Sequence, residues 1–363
     1  MKIIIFAGGT GRRLWPISRK ATPKQFEPIL GDKSTVQMAV DRVREQYGAE
    51  NIFISTNERY LDTLREQLPE LPPENVIGEP ERRDLAPAVG LTMAHLAAAG
   101  DDLDEPVTIL WGDNYMSDVS TFLSLLAAAE TLITRQEAEI VFMGETPRFA
   151  NENLGWIGLG EKQGKVEDRP YYSFESFRYR PPQDVAQKMY DSGEFVWNTG
   201  YFVTSIGYIW DLYQTHQPEM GAGLQEIKEA IGTPAYDEVL HRVYPRLEVI
   251  SFDDAILTHV AREQAVVLHG EMGWSDPGTL YALKEALAKT TAENVVRGQV
   301  QATNTSDSLL FNEEDDKLMA VIGLEGMIVI NTEDAILVVH KSQIPQVKQF
   351  VNNLEGTELE RYS

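Results

Sequence analysis

The sequence predicts an α/β protein with a doubly wound, mixed but mostly parallel sheet, followed by a small C-terminal domain of short strands. Uninterrupted apolar runs at residues 2–6, 52–55, 107–111 and 139–143 are typical of strands buried on both faces of a sheet. Helical patterns at roughly 34–47, 59–67, 84–99 and 118–134 lie between these runs. Strands that alternate with helices indicate right-handed crossovers, and ligands then bind at the C-terminal ends of the strands.

The 84–99 segment carries clear boundary signals for a helix. Asp84 precedes it as a helix cap, Pro87 lies in its first turn and Gly100 follows its end. From about residue 155 to 285, short strands and helices with Gly/Pro-rich joints form an expected elaboration of the first unit.

The pattern of apolar residues changes near residue 296. Five short strands are predicted at 300–302, 308–311, 318–322, 327–330 and 335–339, with a helix at 343–354. This spacing indicates a small β domain or a few coils of a β-helix. We therefore place a first, sheet-based domain at 1–290, where we expect the ligand site, and a C-terminal β domain with a terminal helix at 291–363.

Charge excludes several kinds of partner. The 363 residues carry 32 Lys plus Arg and 56 Asp plus Glu, a formal charge of −24, so the chain should be repelled by nucleic acid and by anionic membrane surfaces. There is no cysteine, and the N-terminal apolar run is too short for a signal peptide. We expect a soluble, cytoplasmic protein. The first 26 residues contain six basic residues and no acidic one, which needs its own explanation.

A glycine-rich loop follows the first apolar run. It reads Ala7, Gly8, Gly9, Thr10, Gly11, Arg12, and Arg13 and Lys24 add positive charge near it. Glycines let backbone N–H groups approach an anion closely, so the loop is a predicted polyphosphate cradle. It matches neither the Walker loop, which ends in Gly-Lys-Ser/Thr, nor the dinucleotide fingerprint, because Leu14 stands where that pattern needs a third glycine.

The ordered motif Gly-Gly-x-Gly-x-Arg-Leu-Trp-Pro-Ile-Ser-Arg, followed by Pro23-Lys24-Gln25-Phe26, resembles the sugar-phosphate nucleotidyltransferases, and within them the mannose-1-phosphate guanylyltransferase branch. Further matches continue in the family's order to about residue 342, without the isomerase domain that longer members append. The resemblance implies a Rossmann-like, nucleotide-diphospho-sugar transferase fold. It also implies transfer of GMP from GTP to mannose 1-phosphate, with release of pyrophosphate.

The resemblance assigns roles to individual residues. Arg13 would bind the β- and γ-phosphates, Lys24 would meet the α-phosphate, and Asp113 and Asp276 would bridge Mg²⁺ to the nucleotide. The implied nucleotide-binding residues are Ala7, Gly8, Gly9, Thr10, Gly11, Arg12, Glu79, Pro87 and Gly112. The implied sugar-phosphate-binding residues are Gly144, Gly155, Arg180, Asn198 and Asp253. The attacking phosphate is already charged, so no general base is required.

The Glu79 carboxylate could select the base of the nucleotide. Guanine presents two adjacent donors, N1–H and the exocyclic amine, and one carboxylate can accept from both. A preference for guanine follows if Glu79 faces the base; otherwise Glu79 simply precedes a turn at Pro80.

Several positions depart from the branch pattern and leave the sugar open. Tyr179 and Arg180 stand where the family has Glu-Lys, and Thr258 stands where it has Glu; Asp84-Leu85 replaces Asn-Thr, and Arg12 replaces Ser or Thr. Two alternatives therefore accompany the mannose assignment: a guanylyltransferase for another hexose- or heptose-1-phosphate, and a catalytically weak homologue that binds nucleotide sugar and regulates a partner. A homodimer through the C-terminal region is a further expectation.

Overall fold

The computed structural model describes residues 1–8, 14–19, 24–29, 31–100 and 102–363. The chain divides into two compact units. The first unit comprises Met1–Ala7, Val40–Trp111 and Met116–Trp274. The second comprises Gly8–Ala39, Gly112–Tyr115 and Ser275–Ser363. The predicted domain boundary near residue 290 stays a prediction.

The strands and helices of the described residues are as follows. The strands are β1 (Lys2–Phe6), β2 (Ile52–Asn57), β3 (Val76–Glu79), β4 (Pro106–Trp111), β5 (Tyr115–Met116), β6 (Ile140–Glu145), β7 (Gly155–Val166), β8 (Arg169–Tyr179), β9 (Phe195–Ser205), β10 (Ala265–Gly270), β11 (Trp274–Ser275), β12 (Val295–Arg297), β13 (Val300–Thr303), β14 (Leu309–Asn312), β15 (Met319–Ile322), β16 (Met327–Asn331) and β17 (Ile336–His340). The helices are α1 (Thr35–Tyr47), α2 (Leu61–Gln67), α3 (Leu85–Ala98), α4 (Val119–Thr134), α5 (Gln183–Ser192), α6 (Ile206–His216), α7 (Pro218–Ala230), α8 (Tyr236–Val243), α9 (Phe252–Ala255), α10 (Leu280–Leu287) and α11 (Pro345–Asn352).

The first unit is built on a mixed sheet. In the described part of the chain this sheet has nine strands in the order β3-β2-β1-β4-β9-β6-β10-β8-β7. Strands β2, β3 and β4 run parallel to their neighbours on the β1 side, and β10 runs parallel to β6. Antiparallel pairings join β9 to β4 and β6, and β8 to β10. The predicted mixed, mostly parallel sheet is therefore confirmed.

Helix α3 shows how the sequence determines one of these elements. The Asp84 carboxylate accepts a hydrogen bond from the backbone N–H of Leu85, which caps the helix start as predicted. Ten residues of α3, from Ala86 to Leu96, are buried, so the helix is apolar around most of its circumference. Gly100 then takes a φ of 82°, a conformation that glycine adopts without steric cost.

Coils of parallel strands form the C-terminal part of the second unit. Strands β12, β14 and β16 stack in parallel and β17 closes that sheet antiparallel to β16, while β13 and β15 pair in a second sheet. The chain alternates between the two sheets from β12 to β16, which is the path of a β-helix. Buried Leu309, Phe311, Ile328 and Ile330 belong to its core. The predicted β-helix-like domain is confirmed.

A buried ion pair lies in the same unit. The Nζ of Lys284, on α10, is 2.6 Å from Asp307 Oδ1, and the Lys284 side chain is 0% exposed. Lys341 Nζ lies 2.5 Å from the other oxygen of Asp307, and the Tyr281 hydroxyl donates to the same carboxylate at 3.0 Å. These partners are what a buried charge requires.

None of the helices within the described ranges is long and apolar enough to cross a lipid bilayer.

Candidate active site

The C-terminal edge of the parallel strands brings Ala7 next to β2. The backbone N–H of Ala7 donates to the carbonyl of Ser55 at 2.8 Å. The buried hydroxyl of Thr56 donates to the carbonyl of Ala7 at 2.7 Å. Both backbone polar groups of Ala7 are thus hydrogen-bonded to β2. Ala7 leads into the glycine loop and lies at the edge where parallel sheets bind ligands.

Glu79 lies at the same edge, at the end of β3. Its Oε2 accepts a 2.7 Å hydrogen bond from the hydroxyl of Tyr244, and the Ser55 hydroxyl lies 3.5 Å from its Oε1. The side-chain amide of Asn57 donates a 3.0 Å hydrogen bond to the backbone carbonyl of Glu79. Burial raises the pKa of Glu79 to about 7, against the lowering effect of Tyr244 and Ser55. The carboxylate is therefore positioned by other residues and sensitive to pH near neutrality.

Three of the four predicted catalytic residues meet in the second unit. Lys24 begins a short 3-10 turn, Lys24–Phe26, and is 8% exposed. Its ammonium lies 2.5 Å from Asp113 Oδ2 and 3.9 Å from Asp276 Oδ1. The side chain of Gln25, 1% exposed, donates to the carbonyl of Gly8. One buried cation and two carboxylates thus converge beside the start of the glycine loop.

Part of the predicted nucleotide site falls on residues that the structure does not describe. Gly9, Thr10, Gly11, Arg12 and Arg13 lie outside the described residues. Of the remaining predicted nucleotide residues, Pro87 is buried in α3, and Gly112 directly precedes Asp113.

Four of the predicted sugar-phosphate residues belong to the first unit's sheet and the elements packed on it. Gly144, on β6, pairs in register with Asn198, on β9. A Cβ added at Gly155 would lie 3.3 Å from Asn198 Cβ, so glycine permits this close approach. Asn198 and Asp253 line the same cleft, and burial raises the pKa of Asp253.

The cleft is largely aromatic and apolar. It encloses about 630 Å³, including the part open to solvent. Its lining consists of Leu85, Trp111, Phe142, Phe174, Phe177, Asn198, Gly200, Phe202, Phe252, Asp253, Leu257 and Thr258. The Thr258 hydroxyl donates to the carbonyl of Asp254 at 2.9 Å. Asn198 Oδ1 accepts the backbone N–H of Gly200 at 3.0 Å, so the amide N–H groups of Asn198 and the carboxylate of Asp253 are the lining groups best suited to hydrogen-bond a ligand.

Arg180 differs from the other predicted sugar residues. It is exposed, its guanidinium lies 5.1 Å from the ring centroid of Tyr179, and its Nε donates to the carbonyl of Asn153 at 3.3 Å. Neither Arg180 nor Tyr179 is among the lining residues of the cleft. Its assignment to the sugar phosphate stays a prediction.

Two buried groups at these sites were missed by reasoning from the sequence. Tyr244, the donor to Glu79, is 0% exposed. Glu145, at the end of β6, is 1% exposed and accepts the backbone N–H groups of Met272 at 2.9 Å and Gly273 at 3.1 Å. Burial raises the pKa of Glu145 to about 7. Glu145 directly follows Gly144, one of the predicted sugar-phosphate-binding residues, and a carboxylate at the end of an otherwise apolar strand was the available signal.

Comparison with known proteins agrees with this architecture. A family model described as nucleotidyl transferase matches residues 2–293, and one described as a MannoseP isomerase/GMP-like β-helix domain matches residues 302–354. A putative mannose-1-phosphate guanylyltransferase of Vibrio cholerae serotype O1 is 30% identical over 371 residues, which cover 99% of this chain and 75% of the relative. Mannose-1-phosphate guanylyltransferase 2 of Escherichia coli O157:H7 is 28% identical, covering 97% and 73%.

A solved structure has the same architecture over nearly the whole length. A protein of Thermus thermophilus, described as a mannose-1-phosphate geranyltransferase, superposes with a TM-score of 0.85 at 27% identity. The match covers 98% of this chain and 99% of that one. Both the sheet-based region and the C-terminal coils are thus shared.

Proposed function

The chain belongs to the nucleotidyl transferase family, and we propose that it transfers GMP from GTP to α-D-mannose 1-phosphate, giving GDP-mannose and pyrophosphate. The observation that carries the proposal is the convergence of Asp113 and Asp276 on the buried ammonium of Lys24. The names of the relatives support the choice of guanylyl group and of mannose.

The reaction is a phosphoryl-type displacement that needs alignment and charge neutralisation. A sugar-phosphate oxygen attacks the α-phosphorus, the bond from that phosphorus to the bridging oxygen breaks, and pyrophosphate leaves. No proton has to be removed from the nucleophile, since the phosphate is ionised at neutral pH. Lys24 would stabilise the charge that builds on the α-phosphate, and Arg13 is proposed from the sequence alone to hold the β- and γ-phosphates.

Asp113 and Asp276 fit a Mg²⁺ site. Mg²⁺ prefers oxygen ligands and is commonly held by one or two carboxylates together with substrate phosphates. The two carboxylates lie 2.5 and 3.9 Å from the Lys24 ammonium, so the fold already places both of them beside one cation. Among the described residues, no group of three or more His, Asp or Glu side chains could hold a metal ion by itself. When bound, Mg²⁺ would neutralise part of the charge on the two reacting phosphates.

Substrate selection is proposed to lie in the first unit. Glu79 would accept the two donors of guanine. Asn198 and Asp253 would bind hydroxyl groups of the sugar from inside the aromatic cleft, where the rings would pack against the apolar face of the pyranose.

Two alternatives follow from the departures in the motif. Thr258 lines the cleft, which favours testing another hexose or a heptose beside mannose. A catalytically weak regulatory homologue would have little use for Lys24 and both carboxylates in one cluster, and this arrangement favours an enzyme.

The test is release of pyrophosphate by the purified protein with Mg²⁺, GTP, ATP, UTP or dTTP, and a panel of sugar 1-phosphates. The proposal expects the highest kcat/KM with GTP and mannose 1-phosphate. A higher value with another sugar would replace mannose. Nucleotide-sugar binding without turnover in any combination would favour the regulatory homologue.

A further inference from the structure

We propose that Tyr244 determines base specificity by holding Glu79 as an oriented, ionised acceptor for the two donors on the Watson–Crick edge of guanine. The inference rests on the proposed function, and it concerns a residue for which the sequence motifs assign no role. Tyr244 is a positioning residue, because it acts through Glu79 and not on the reacting phosphates.

Neighbouring side chains fix the position of the Glu79 carboxylate. The Tyr244 hydroxyl lies 2.7 Å from Glu79 Oε2, and Ser55 Oγ lies 3.5 Å from the other oxygen, Oε1. The Asn57 side chain fixes the Glu79 backbone carbonyl at 3.0 Å. Two side chains from separate parts of the chain therefore contact this one carboxylate, and a third fixes the backbone that carries it. Orientation of that kind is needed for a carboxylate to accept two parallel N–H groups at once.

The Tyr244 hydroxyl also favours the ionised form of Glu79. Tyr244 is 0% exposed, and burial together with the neighbouring Glu79 raises the pKa of its hydroxyl far above the usual range, so the hydroxyl stays a donor. A donor stabilises the ionised form of its partner. Tyr244 thereby opposes the burial that raises the pKa of Glu79 to about 7.

Two arginines and a second tyrosine also act on this pair. Arg82 lowers the pKa of Glu79, and Arg83 lowers that of Tyr244. Tyr213 is fully buried near Tyr244, and its hydroxyl donates to the carbonyl of Ala86. The pKa of Tyr213 is raised well above the usual value by burial, so it does not titrate near neutral pH.

Ionisation of Glu79 decides how many guanine donors it can accept. The ionised carboxylate accepts both N1–H and the exocyclic amine, whereas a protonated carboxyl turns one oxygen into a donor. Inosine triphosphate keeps N1–H and lacks the amine. The preference for GTP over ITP therefore measures the second hydrogen bond, and the ionisable triphosphate cancels in the ratio.

The experiment measures kcat/KM for GTP and for ITP between about pH 6 and about pH 8.5 in wild type, Tyr244→Phe and the matched variant Tyr213→Phe. Wild type should show a GTP preference that rises with pH through about 7. Loss of one hydrogen bond to a charged group should move this midpoint up by about one pH unit in Tyr244→Phe. The preference near pH 7 should fall about fivefold, because the ionised fraction of Glu79 falls from about a half to about a tenth, and it should return near pH 8.5. Tyr213→Phe should keep the wild-type profile.

Other outcomes overturn the inference. A Tyr244→Phe profile and GTP/ITP ratio equal to those of wild type would contradict it, and so would an equal loss for both nucleotides at every pH, which marks a structural role. If Tyr244→Phe does not fold, Glu79→Gln replaces it and should show a low, pH-independent GTP/ITP ratio; a wild-type ratio in that variant contradicts the inference. Failure of the proposed function is distinguishable, since wild type would then transfer neither nucleotide.

Discussion

The ammonium of Lys24 lies 2.5 Å from Asp113 Oδ2, although the two residues belong to distant parts of the sequence. A buried lysine needs such a partner in the absence of substrate. In the reaction that we propose, the same lysine faces a phosphate while the carboxylate takes part in metal binding. The ion pair therefore holds both side chains close to the positions that the proposed reaction requires.

Replacing Lys24 should greatly slow the proposed nucleotidyl transfer. We expect Lys24→Ala to lower kcat by about a hundred- to a thousandfold, because one preorganised contact to the developing charge is lost. Initial rates of pyrophosphate release at saturating substrates measure the effect. Lys348→Ala, which changes an exposed lysine on α11, should keep the wild-type rate. A Lys24→Ala enzyme within a few-fold of wild type would exclude the assigned role.

Replacing either carboxylate should weaken metal activation. We expect Asp113→Asn and Asp276→Asn each to require at least about tenfold more Mg²⁺ for half-maximal rate, since a neutral amide is a poorer ligand for a hard cation. Titration of Mn²⁺ binding by electron paramagnetic resonance, in the presence of GTP, gives a second readout that needs no turnover. Asp316→Asn, in an exposed turn, is the matched control. If the Mg²⁺ dependence is unchanged in both variants, neither Asp113 nor Asp276 binds the metal ion.

Replacing Asp253 should weaken binding of the sugar 1-phosphate and leave binding of the nucleotide unchanged. We expect Asp253→Asn to raise KM for the sugar 1-phosphate about tenfold, the loss typical of one hydrogen bond to a charged group, with KM for GTP unchanged. Tyr179→Ala should leave both constants at wild-type values, because Tyr179 is 68% exposed and does not line the cleft. An effect of Tyr179→Ala larger than that of Asp253→Asn would place the sugar elsewhere.

Glu145 should make stability depend on pH. Its pKa in the folded protein is about 7 and the ordinary value is 4.5, so the unfolded chain ionises first as pH rises. The Glu145 contribution is therefore most favourable below about pH 4.5 and becomes less favourable up to about pH 7.

Urea unfolding of wild type and Glu145→Gln measures this effect. The free energy of unfolding of wild type minus that of the variant should be about 2 to 3 kcal/mol lower near pH 8 than near pH 5. The exposed change Glu152→Gln should give no such trend. A difference between wild type and Glu145→Gln that is constant, or that grows with pH, would show that Glu145 has no raised pKa.

Local patterns in the sequence were sufficient for the elements whose burial repeats regularly. Strand β1 and helix α3 were predicted nearly to the residue, because each combines a continuous apolar stretch with glycine or capping signals at its ends. Strand β3 was missed, since it has only four residues and ends in Glu79. Strands β7 and β8 were not delimited either, as their many half-exposed and exposed residues give no apolar run.

The site shows a similar limit. Lys24, Asp113 and Asp276 were found through a family motif, and the structure brings them together. The bond between Tyr244 and Glu79 joins residues 165 positions apart, so no local pattern reports it. The contacts of Glu145 with Met272 and Gly273 span a comparable separation. Such partners are determined by tertiary packing and become visible only in the folded chain.

The most direct test of the central claim follows the α-phosphorus of GTP. Purified protein is incubated with α-labelled GTP, mannose 1-phosphate and Mg²⁺, and the products are separated by anion-exchange chromatography, with Lys24→Ala in parallel. We predict that the label moves into GDP-mannose with an equal amount of pyrophosphate, and that Lys24→Ala slows the transfer by about a hundred- to a thousandfold. Label that stays in GTP although the wild type is folded, or that transfers equally fast in Lys24→Ala, would contradict the account.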